Sequence, residues 1–487
     1  MKKLLLSSLP FLAILASCGG PSSSASGTEK GNSIANPWWS TTGELEKKDG
    51  EIVYDEINIS LATVVAGEDV ASFNNVVKAF NAEYKGKITV NVENIGQDTY
   101  EKTVSDRISQ NQDAPDLLMS HIKGHATFAK NHIIQPIDEV LEQTGINYSK
   151  VDVINTLASY SDLGYEGYTF DVPVDAQSQI LVYNKQLLKK YNNGVVPSSR
   201  EEFIEVCKKA KQGEGSGFVP FAVPTSGTSF FQWYFVRTAL AQNGFNFFNK
   251  DNYKVDWASN ADNLATLQAT VKSVNSMFYG VNAIANPNLS YTTGLSTFTS
   301  NKALFFAYDP WMIESLVAKY GNDNGGKTSA EVMDNYIGGA SIATIFQEDG
   351  ANPNAYKIYG DSHGLALSNS VTDITKKAAC VEFMNFMNKN VEAGVEWARG
   401  GHVSASQLIR NDAAYKSDSY IQNFTEGFYT DLNEFVSAGV TPFYETTFGE
   451  LDSMMASLFK NNVSDADVAS KARGSEDSVN LAIDFGS

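Results

Sequence analysis

Residues 57–95 read INISLATVVAGEDVASFNNVVKAFNAEYKGKITVNVENI and predict a strand, a helix and a second strand in succession. The apolar run at 57–65 is typical of a buried strand. Apolar side chains then recur every three or four residues, which predicts a helix with one buried face formed by Phe73, Val76, Val77, Phe80 and Tyr84. Gly86 ends this helix, and the alternating apolar residues of 88–92 predict the next strand. Such a unit is typical of α/β folds with parallel sheets.

The alternation of strands and helices continues along the chain. The segment APDLLMS at 114–120 predicts another strand, and a second helical stripe consists of Leu264, Leu267, Val271, Val274 and Phe278. In parallel α/β sheets, ligands bind outside the carboxyl ends of the strands. Residues that directly follow a strand are therefore candidate binding residues.

Composition and charge exclude some classes of function. The 487 residues carry a formal net charge of −19, which makes nucleic acid a poor partner because phosphate binding needs a positive surface. Hydrophobic content of 43% and charged content of 19% are typical of globular proteins. A chain of this length is too long for one compact core, so we expect two or three domains.

The start of the chain has the pattern of an exported lipoprotein. Lys2 and Lys3 precede an apolar stretch too short to span a bilayer, and LASC at 15–18 resembles the lipobox of bacterial lipoproteins. The resemblance implies that residues 1–17 are a signal peptide, that Cys18 is lipidated, and that the protein sits on the outer face of the cell membrane. An ordinary secretory signal with an incidental cysteine is the alternative. Residues 18–50 begin with a Gly/Ser/Pro-rich run and predict a flexible tether.

Two pairs of residues leave a choice open. Trp38 and Trp39 either lie against the lipid interface or pack on the folded body, and their large apolar surface favours packing. Cys207 and Cys380 either form a disulfide or are free and buried as small apolar side chains, and we expect the second.

Several segments, taken in order from about residue 58 to the end, resemble the family 1 extracellular solute-binding proteins of ABC transporters. They are VVKAFNAEYKGKITVNV, APDLLMS, IIQPIDEVL, TFDVPVDAQSQILVYNKQLLKKY, VPSSREEFIEVCKKAK, QWYFVRTALAQNGFNFFNKDNYKVDWAS, FTSNKALFFAYDPW, and HGLALSNSVTDITKKAACVEFMNFM with GGHVSASQ. The chain departs from the family pattern at Asn301, where glycine is usual, and at Asp309-Pro310. These departures bear on the ligand more than on the fold.

The resemblance implies an α/β, two-lobe periplasmic-binding-protein-like fold of type II, with hinge segments crossing between the lobes and a ligand cleft between them. It places the first lobe at 51–175 and 355–405, and the second at 176–354 and 406–487. It also implies no catalytic activity and no cofactor. The implied ligand is a carbohydrate, delivered to ABC transporter permease subunits, and we expect a monomer held at the membrane by its lipid alone.

A carbohydrate site needs aromatic rings for the apolar faces of the sugar and polar groups for its hydroxyls. Trp311 follows the strand-like ALFFAY, and the resemblance places a sugar-stacking tryptophan there; Asp309 lies beside it. Counted back from Tyr183, Gln177 falls where the family often has a sugar-contacting carboxylate. The remaining candidates come from strand ends, an aromatic cluster and the family's segment order, and are Asp175, His121, Lys123, Glu68, Asp69, Phe231, Trp233 and Tyr444.

Structural roles compete with these assignments. Trp311, Phe231 and Trp233 also suit a hydrophobic core, because an aromatic stripe at helical spacing is more often core. Asp69 also suits a helix cap, and Asp309 a turn before proline.

Other functions also fit parts of the sequence. His121 and His125 are four residues apart, a spacing that zinc sites use, although no HExxH motif or cysteine pair accompanies them. Lys123, Arg237 and Arg399 keep open an anionic solute such as glycerol phosphate. A secreted hydrolase needs two facing carboxylates, and a surface adhesin needs no cleft.

Overall fold

The computed structural model describes residues 34, 37–148, 153, 155–226, 231–346, 354, 356–425, 435–437 and 439–486. The predicted signal peptide, Cys18 and the first part of the predicted tether lie outside these residues. Within the described part of the chain, no helix has the length and apolar character needed to cross a bilayer.

Short strands and longer helices alternate through the described residues. The strands are β1 Lys47–Lys48, β2 Glu51–Ile52, β3 Ile57–Thr63, β4 Ile88–Asn94, β5 Leu117–His121, β6 Ile134–Gln135, β7 Asp171–Pro173, β8 Asp175–Ala176, β9 Ile180–Asn184, β10 Phe221–Ala222, β11 Phe305–Tyr308, β12 Ile337–Ser341, β13 Ile358–Tyr359, β14 His363–Ser368, β15 Val403–Ser404 and β16 Phe435–Val436. The α-helices are α1 Asp69–Glu83, α2 Gln97–Gln110, α3 Ile122–Lys130, α4 Asp138–Thr144, α5 Asn155–Ala158, α6 Lys185–Asn192, α7 Arg200–Glu214, α8 Arg237–Gln242, α9 Ala261–Phe278, α10 Tyr291–Thr299, α11 Ile313–Asp323, α12 Ser329–Asn335, α13 Ile374–Lys389, α14 Val391–Arg399, α15 Gln407–Asn411, α16 Ala413–Ser417, α17 Tyr444–Leu458 and α18 Asp465–Gly486. Irregular helical turns lie at Phe231–Val236, Pro310–Met312, Ile342–Ile345 and Ile421–Thr425.

The first lobe is built on a sheet with the strand order β4-β3-β5-β14-β6, with β7 also paired to β14. The predicted unit of β3, α1 and β4 is confirmed, and β3 pairs in parallel with both β4 and β5. The expected parallel pairing does not extend to β14, which runs antiparallel to β5, β6 and β7. β14 enters this sheet from the far lobe, so its direction is not set by a local strand–helix–strand crossover.

The second lobe is built on a smaller sheet with the order β10-β11-β9-β12. Here β9 runs antiparallel to both β11 and β12, and β10 is parallel to β11. Helices α7, α9, α17 and α18 contribute buried residues to the core around this sheet. The first lobe has its own cores, to which α1, α13 and α14 contribute.

The structure decides between the alternatives for the tryptophan pair and the cysteine pair. Trp38 packs on the first lobe, where its ring stacks on His132 at 4.4 Å and its Nε1 donates a hydrogen bond to the Ile134 carbonyl oxygen at 2.9 Å. Cys207 and Cys380 are both free and buried, and they lie in the cores of different lobes.

Three segments of the described chain connect the two lobes. Residues 174–179 lead from β7 of the first sheet to β9 of the second, and residues 360–362 lead from β13 to β14. The third segment contains β15, which pairs antiparallel with β8 in the segment 174–179. Gln177 and Asp361 also exchange backbone hydrogen bonds of 2.8 and 2.9 Å, so the connecting segments are joined to one another.

Candidate functional site

A cavity of about 450 Å³ lies between the two lobes. From the first lobe, Val64, Ser120, His121, Lys123 and the first turn and a half of α2 line it. From the second lobe, the lining residues are Trp233, Arg237, Tyr444, Glu445, Phe448, Gly449 and Asp452. This volume is in the range of small-molecule sites.

The edge of the first sheet explains why these first-lobe residues meet. β4 and β5 both run parallel to β3, so their carboxyl ends lie at one edge. β4 is followed by α2 and β5 by α3, so residues at the start of both helices reach the cavity. This is the placement expected of ligand sites in α/β sheets.

Lys123 is a half-buried cation that already has an anionic partner. Its Nζ lies 3.0 Å from Asp361 Oδ2, 4.3 Å from the centre of the Trp233 ring and 5.4 Å from that of Tyr444. Burial alone would lower the pKa of Lys123, but the charge of Asp361, the nearby Tyr444 and the hydrogen bond to Asp361 together outweigh burial and raise the pKa to about 12. Lys123 therefore stays charged while joining first-lobe and second-lobe residues.

Arg237 is a second cation of the cavity, fully buried, and it too is paired. Its Nε and Nη2 donate to the two carboxylate oxygens of Asp452 at 3.1 and 2.7 Å. Its Nη1 donates to the hydroxyls of Tyr359 and Tyr444 at 3.0 and 2.9 Å. This bidentate geometry is specific to arginine.

Carboxylates balance these cations. Asp98, Glu101, Glu445 and Asp452 line the same cavity. Burial and the nearby charge of Glu445 raise the pKa of Glu101. The cavity thus offers hydrogen-bond acceptors and donors together without a strong positive potential.

A second polar group surrounds Asp175, which is fully buried. Asp175 Oδ2 lies 2.8 Å from His363 Nδ1, 3.3 Å from His402 Nδ1 and 2.9 Å from Trp397 Nε1. His402 Nε2 lies 3.3 Å from Asp69 Oδ2. Burial opposes the charge on both Asp175 and His402. The nearby histidines nevertheless lower the pKa of Asp175. Asp175 and Asp69 raise the pKa of His402 to about 9.

A third group lies at the end of β11. Asp309 is 0% exposed, and Trp311 is half-buried with its ring 6.1 Å from Tyr234 and 6.3 Å from His402. Glu68 of the first lobe accepts hydrogen bonds from the backbone N–H and the hydroxyl of Ser315 in α11. The lobes therefore touch here as well as around Lys123.

The candidates from the sequence fall into distinct places. His121, Lys123, Trp233 and Tyr444 line the cavity. Gln177 is buried beside it, with Nε2 3.2 Å from His121 Nδ1. Asp175 and Asp69 meet through His402, and Glu68, Asp309 and Trp311 lie near the end of β11. Phe231 lies in the second-lobe core against Phe235, Phe278 and Phe459.

The histidines of the suggested zinc pair point to different partners. His125 is buried with Nδ1 2.7 Å from Asp171 Oδ2 and Nε2 2.8 Å from Ser120 Oγ. His121 Nδ1 instead lies 3.3 Å from Asp361 Oδ2. In the described residues, the group of three or more potential metal ligands is Asp175, His363 and His402.

Sequence reasoning missed the α2 residues, above all Tyr100 and Glu101. A signal for them existed, because they follow β4 by a few residues and ligands bind outside the carboxyl ends of such strands. His363 and His402 carried no comparable signal, since their partner Asp175 is far away in sequence.

Comparison with known proteins places the chain in context. Residues 66–393 match the family model of the bacterial extracellular solute-binding protein. The sn-glycerol-3-phosphate-binding periplasmic protein UgpB of Salmonella paratyphi A is 27% identical over 126 residues, which are 26% of this chain and 27% of that protein. The chain thus matches about a quarter of the length of this relative.

Solved structures resemble the chain over most of its length. The GacH receptor of Streptomyces glaucescens, known unliganded and in complex with acarbose, matches with a TM-score of 0.66 and 16% identity, covering 88% of this chain and 99% of that one. Maltose-bound MalE3 of T. maritima matches with a TM-score of 0.64 and 15% identity, covering 88% and 100%. At such low identity the likeness establishes the fold.

Proposed function

Because the chain belongs to the bacterial extracellular solute-binding protein family, we propose that it is the lipid-anchored solute-binding component of an ABC importer and binds a carbohydrate between its two lobes. Named relatives support the class of ligand: GacH was solved with acarbose and MalE3 with maltose. The anchor at Cys18 is supported by the pattern of residues 1–18.

The cavity between the lobes is the observation that carries the proposal. It combines the aromatic rings of Trp233 and Tyr444 with carboxylates and cations on both lobes. Aromatic rings suit the apolar face of a sugar, and a mixed rim suits hydroxyls, each of which both donates and accepts. Asp361 and Asp452 neutralise Lys123 and Arg237, which favours an uncharged solute.

Binding is proposed to act by closing the hinge. A solute that touches Lys123 from one side and Trp233 or Tyr444 from the other contacts both lobes at once. It therefore stabilises the apposed arrangement by its difference in affinity for closed and open forms. The three connecting segments need only absorb backbone rotation. The loaded, closed form is the one delivered to the permease.

We propose that the solute leaves unchanged, as expected from a family of binding proteins. A carbohydrate hydrolase is the alternative that the cavity itself suggests, because Glu101 and Glu445 are close enough to affect each other electrostatically. A glycosidase uses two such carboxylates. Product analysis separates the two functions.

An anionic solute such as sn-glycerol 3-phosphate is the second candidate. It is favoured by Lys102, Lys123 and Arg237 in the cavity and by the similarity to UgpB. Binding of a phosphate would require at least one buried cation to exchange its carboxylate partner for the ligand.

Thermal unfolding with a panel of ligands tests the proposal. The panel contains mono- and oligosaccharides and sn-glycerol 3-phosphate, and each mixture is analysed for products by chromatography. A ligand at 100 times its Kd stabilises the folded state by about 2.7 kcal/mol. We expect an intact sugar to raise the unfolding temperature. A shift with glycerol phosphate alone, or cleavage of the sugar, contradicts the proposal.

A matched pair of tryptophan variants locates the effect. Trp233→Ala removes a ring from the cavity, and Trp39→Ala removes a half-buried ring on the first lobe away from it. We expect the first variant to lose most of the ligand-induced shift and the second to keep it. Equal shifts in both variants would place the solute elsewhere.

A further inference from the structure

A buried group of two histidines and one aspartate, Asp175, His363 and His402, joins the three segments that connect the lobes; we name it the His–Asp cluster. Asp175 lies on β8, His363 begins β14, and His402 directly precedes β15. Asp175 and His402 are 0% exposed, and His363 is 5% exposed. None of the three lines the cavity, although the ring of His121, which does, stacks on His363 with centres 4.7 Å apart.

The donor atoms of the cluster have the separations that a metal ion requires. One ligand atom from each residue lies within 4.8 Å of the other two. The Nδ1 atoms of His363 and His402 lie 2.8 and 3.3 Å from Asp175 Oδ2. Ligands placed about 2.0–2.1 Å from a tetrahedral zinc ion lie about 3.3 Å apart. Small side-chain shifts therefore suffice to admit the ion.

The hydrogen bonding of His402 points to a ligand. Its Nε2 faces Asp69 Oδ2, which holds a proton on that nitrogen. Its Nδ1 is buried and, among the described residues, has no hydrogen-bond partner of acceptable geometry, although it faces the Asp175 carboxylate. A metal ion that replaced the Nδ1 proton of His402 would lie between this nitrogen and the Asp175 carboxylate oxygen, which are 3.3 Å apart.

The surroundings complete the pattern of a metal site. Metal-binding histidines almost always donate their other N–H to a carboxylate or carbonyl, as His402 does to Asp69. Trp397 Nε1 donates to Asp175 Oδ2 at 2.9 Å, and its ring stacks on His402 with centres 4.0 Å apart. The backbone N–H of His363 donates to Asp175 Oδ1 at 2.7 Å. These contacts fix the orientation of two of the three ligands.

We propose that the His–Asp cluster binds one zinc ion through Asp175 and the Nδ1 atoms of His363 and His402, with Asp69 as the positioning residue of His402. Two imidazoles and a carboxylate form a donor set that zinc prefers over magnesium or calcium. The ion ties the three connecting segments together at the pivot of the hinge. It therefore acts on stability and lobe geometry and is separate from the solute in the cavity.

Calorimetric titration of the purified protein with zinc chloride, after treatment with a chelator and removal of any histidine tag, tests the proposal. We expect about one zinc per chain and a rise in the unfolding temperature on zinc addition. Cobalt(II) titration should give visible absorption of the intensity typical of four- or five-coordinate nitrogen and oxygen ligation. Magnesium at the same concentration should produce neither effect.

Four variants separate zinc binding from general loss of stability. His363→Gln and His402→Gln should each abolish the saturable site, and Asp69→Asn should weaken zinc binding about 10- to 100-fold. His125→Gln is the matched control, because it removes another fully buried histidine that is paired with an aspartate. It should retain stoichiometric zinc binding. Circular dichroism shows which variants fold.

Three results would overturn the proposal, and two of them can be obtained with the wild-type protein alone. One is the lack of a saturable zinc site in the folded wild-type protein, which would leave a proton between His402 and Asp175. The other is cobalt absorption typical of six-coordinate, water-ligated ion. Equal zinc affinity in a folded His402→Gln variant would also reject it.

Discussion

Replacing Asp309 by asparagine is expected to stabilise the protein, with a gain that grows with pH. Asp309 is 0% exposed, and neither carboxylate oxygen has a well-formed hydrogen bond within the described part of the chain. Burial raises its pKa from the ordinary 3.8 to about 7, and the nearby Gln179 side chain offsets only part of that effect. The folded protein therefore holds a costly charge above neutral pH.

The size of the effect on the free energy of unfolding follows from proton linkage. Between pH 3.8 and about 7 the folded state binds more protons at Asp309 than the unfolded state does, so stability falls as pH rises through this window. Above the window the penalty is constant at about 4 kcal/mol, since each pKa unit corresponds to about 1.4 kcal/mol. Asparagine has nearly the same shape and carries no charge, so Asp309→Asn removes this penalty.

Urea denaturation of the wild type and Asp309→Asn from about pH 5.5 to about pH 8.5 measures the effect. The stability advantage of the variant should widen by about 2 kcal/mol up to pH 7 and then remain level. Asp251→Asn, at an exposed position, is the control and should show no widening. A difference that does not change with pH, or a variant less stable than wild type at pH 8.5, would refute the reasoning.

Three further substitutions test an ion pair, a close backbone contact and the packing of a tryptophan ring. Arg237→Met should cost about 3 kcal/mol in urea denaturation, because it leaves the half-buried Asp452 carboxylate without its cation. Additivity with Asp452→Asn in a double-mutant cycle would contradict the pairing. Gly401→Ala should weaken solute binding and increase the radius of gyration in X-ray scattering. Gly401 has φ +92°, and a Cβ there would overlap the Trp311 backbone. Unchanged scattering and affinity would contradict this contact. Trp38→Ala should lower the thermal unfolding temperature, because the variant loses the stacking on His132 and the hydrogen bond to the Ile134 carbonyl. An unchanged unfolding temperature would show that Trp38 does not stabilise the first lobe.

Local patterns predicted the elements whose side chains repeat regularly. Phe73, Val76 and Phe80 are buried on one face of α1, as their spacing requires. His121 and Lys123 reach the cavity because a strand end at a parallel edge is a position that sequence can identify.

Aromatic residues show where local patterns stop being informative. Phe231 and Trp233 are two residues apart in one helical turn, yet the first lies in the core and the second lines the cavity. Periodicity alone does not say which side of a helix faces the second lobe and which faces the cleft. That choice is made by packing between distant parts of the chain.

Contacts between residues far apart in the sequence could not be predicted either. Asp175 meets His363 and His402 because three connecting segments cross at one place, and the direction of β14 follows from the same crossing. No spacing rule relates residues 188 positions apart in the sequence.

A crystal structure of the protein with the sugar that gives the largest thermal shift would show whether the two lobes bind a carbohydrate between them. We expect electron density for one intact carbohydrate in the cavity between the lobes, in contact with Trp233 or Tyr444 from one lobe and Lys123 from the other. Density for cleaved products, or for a sugar held by one lobe alone, would contradict it.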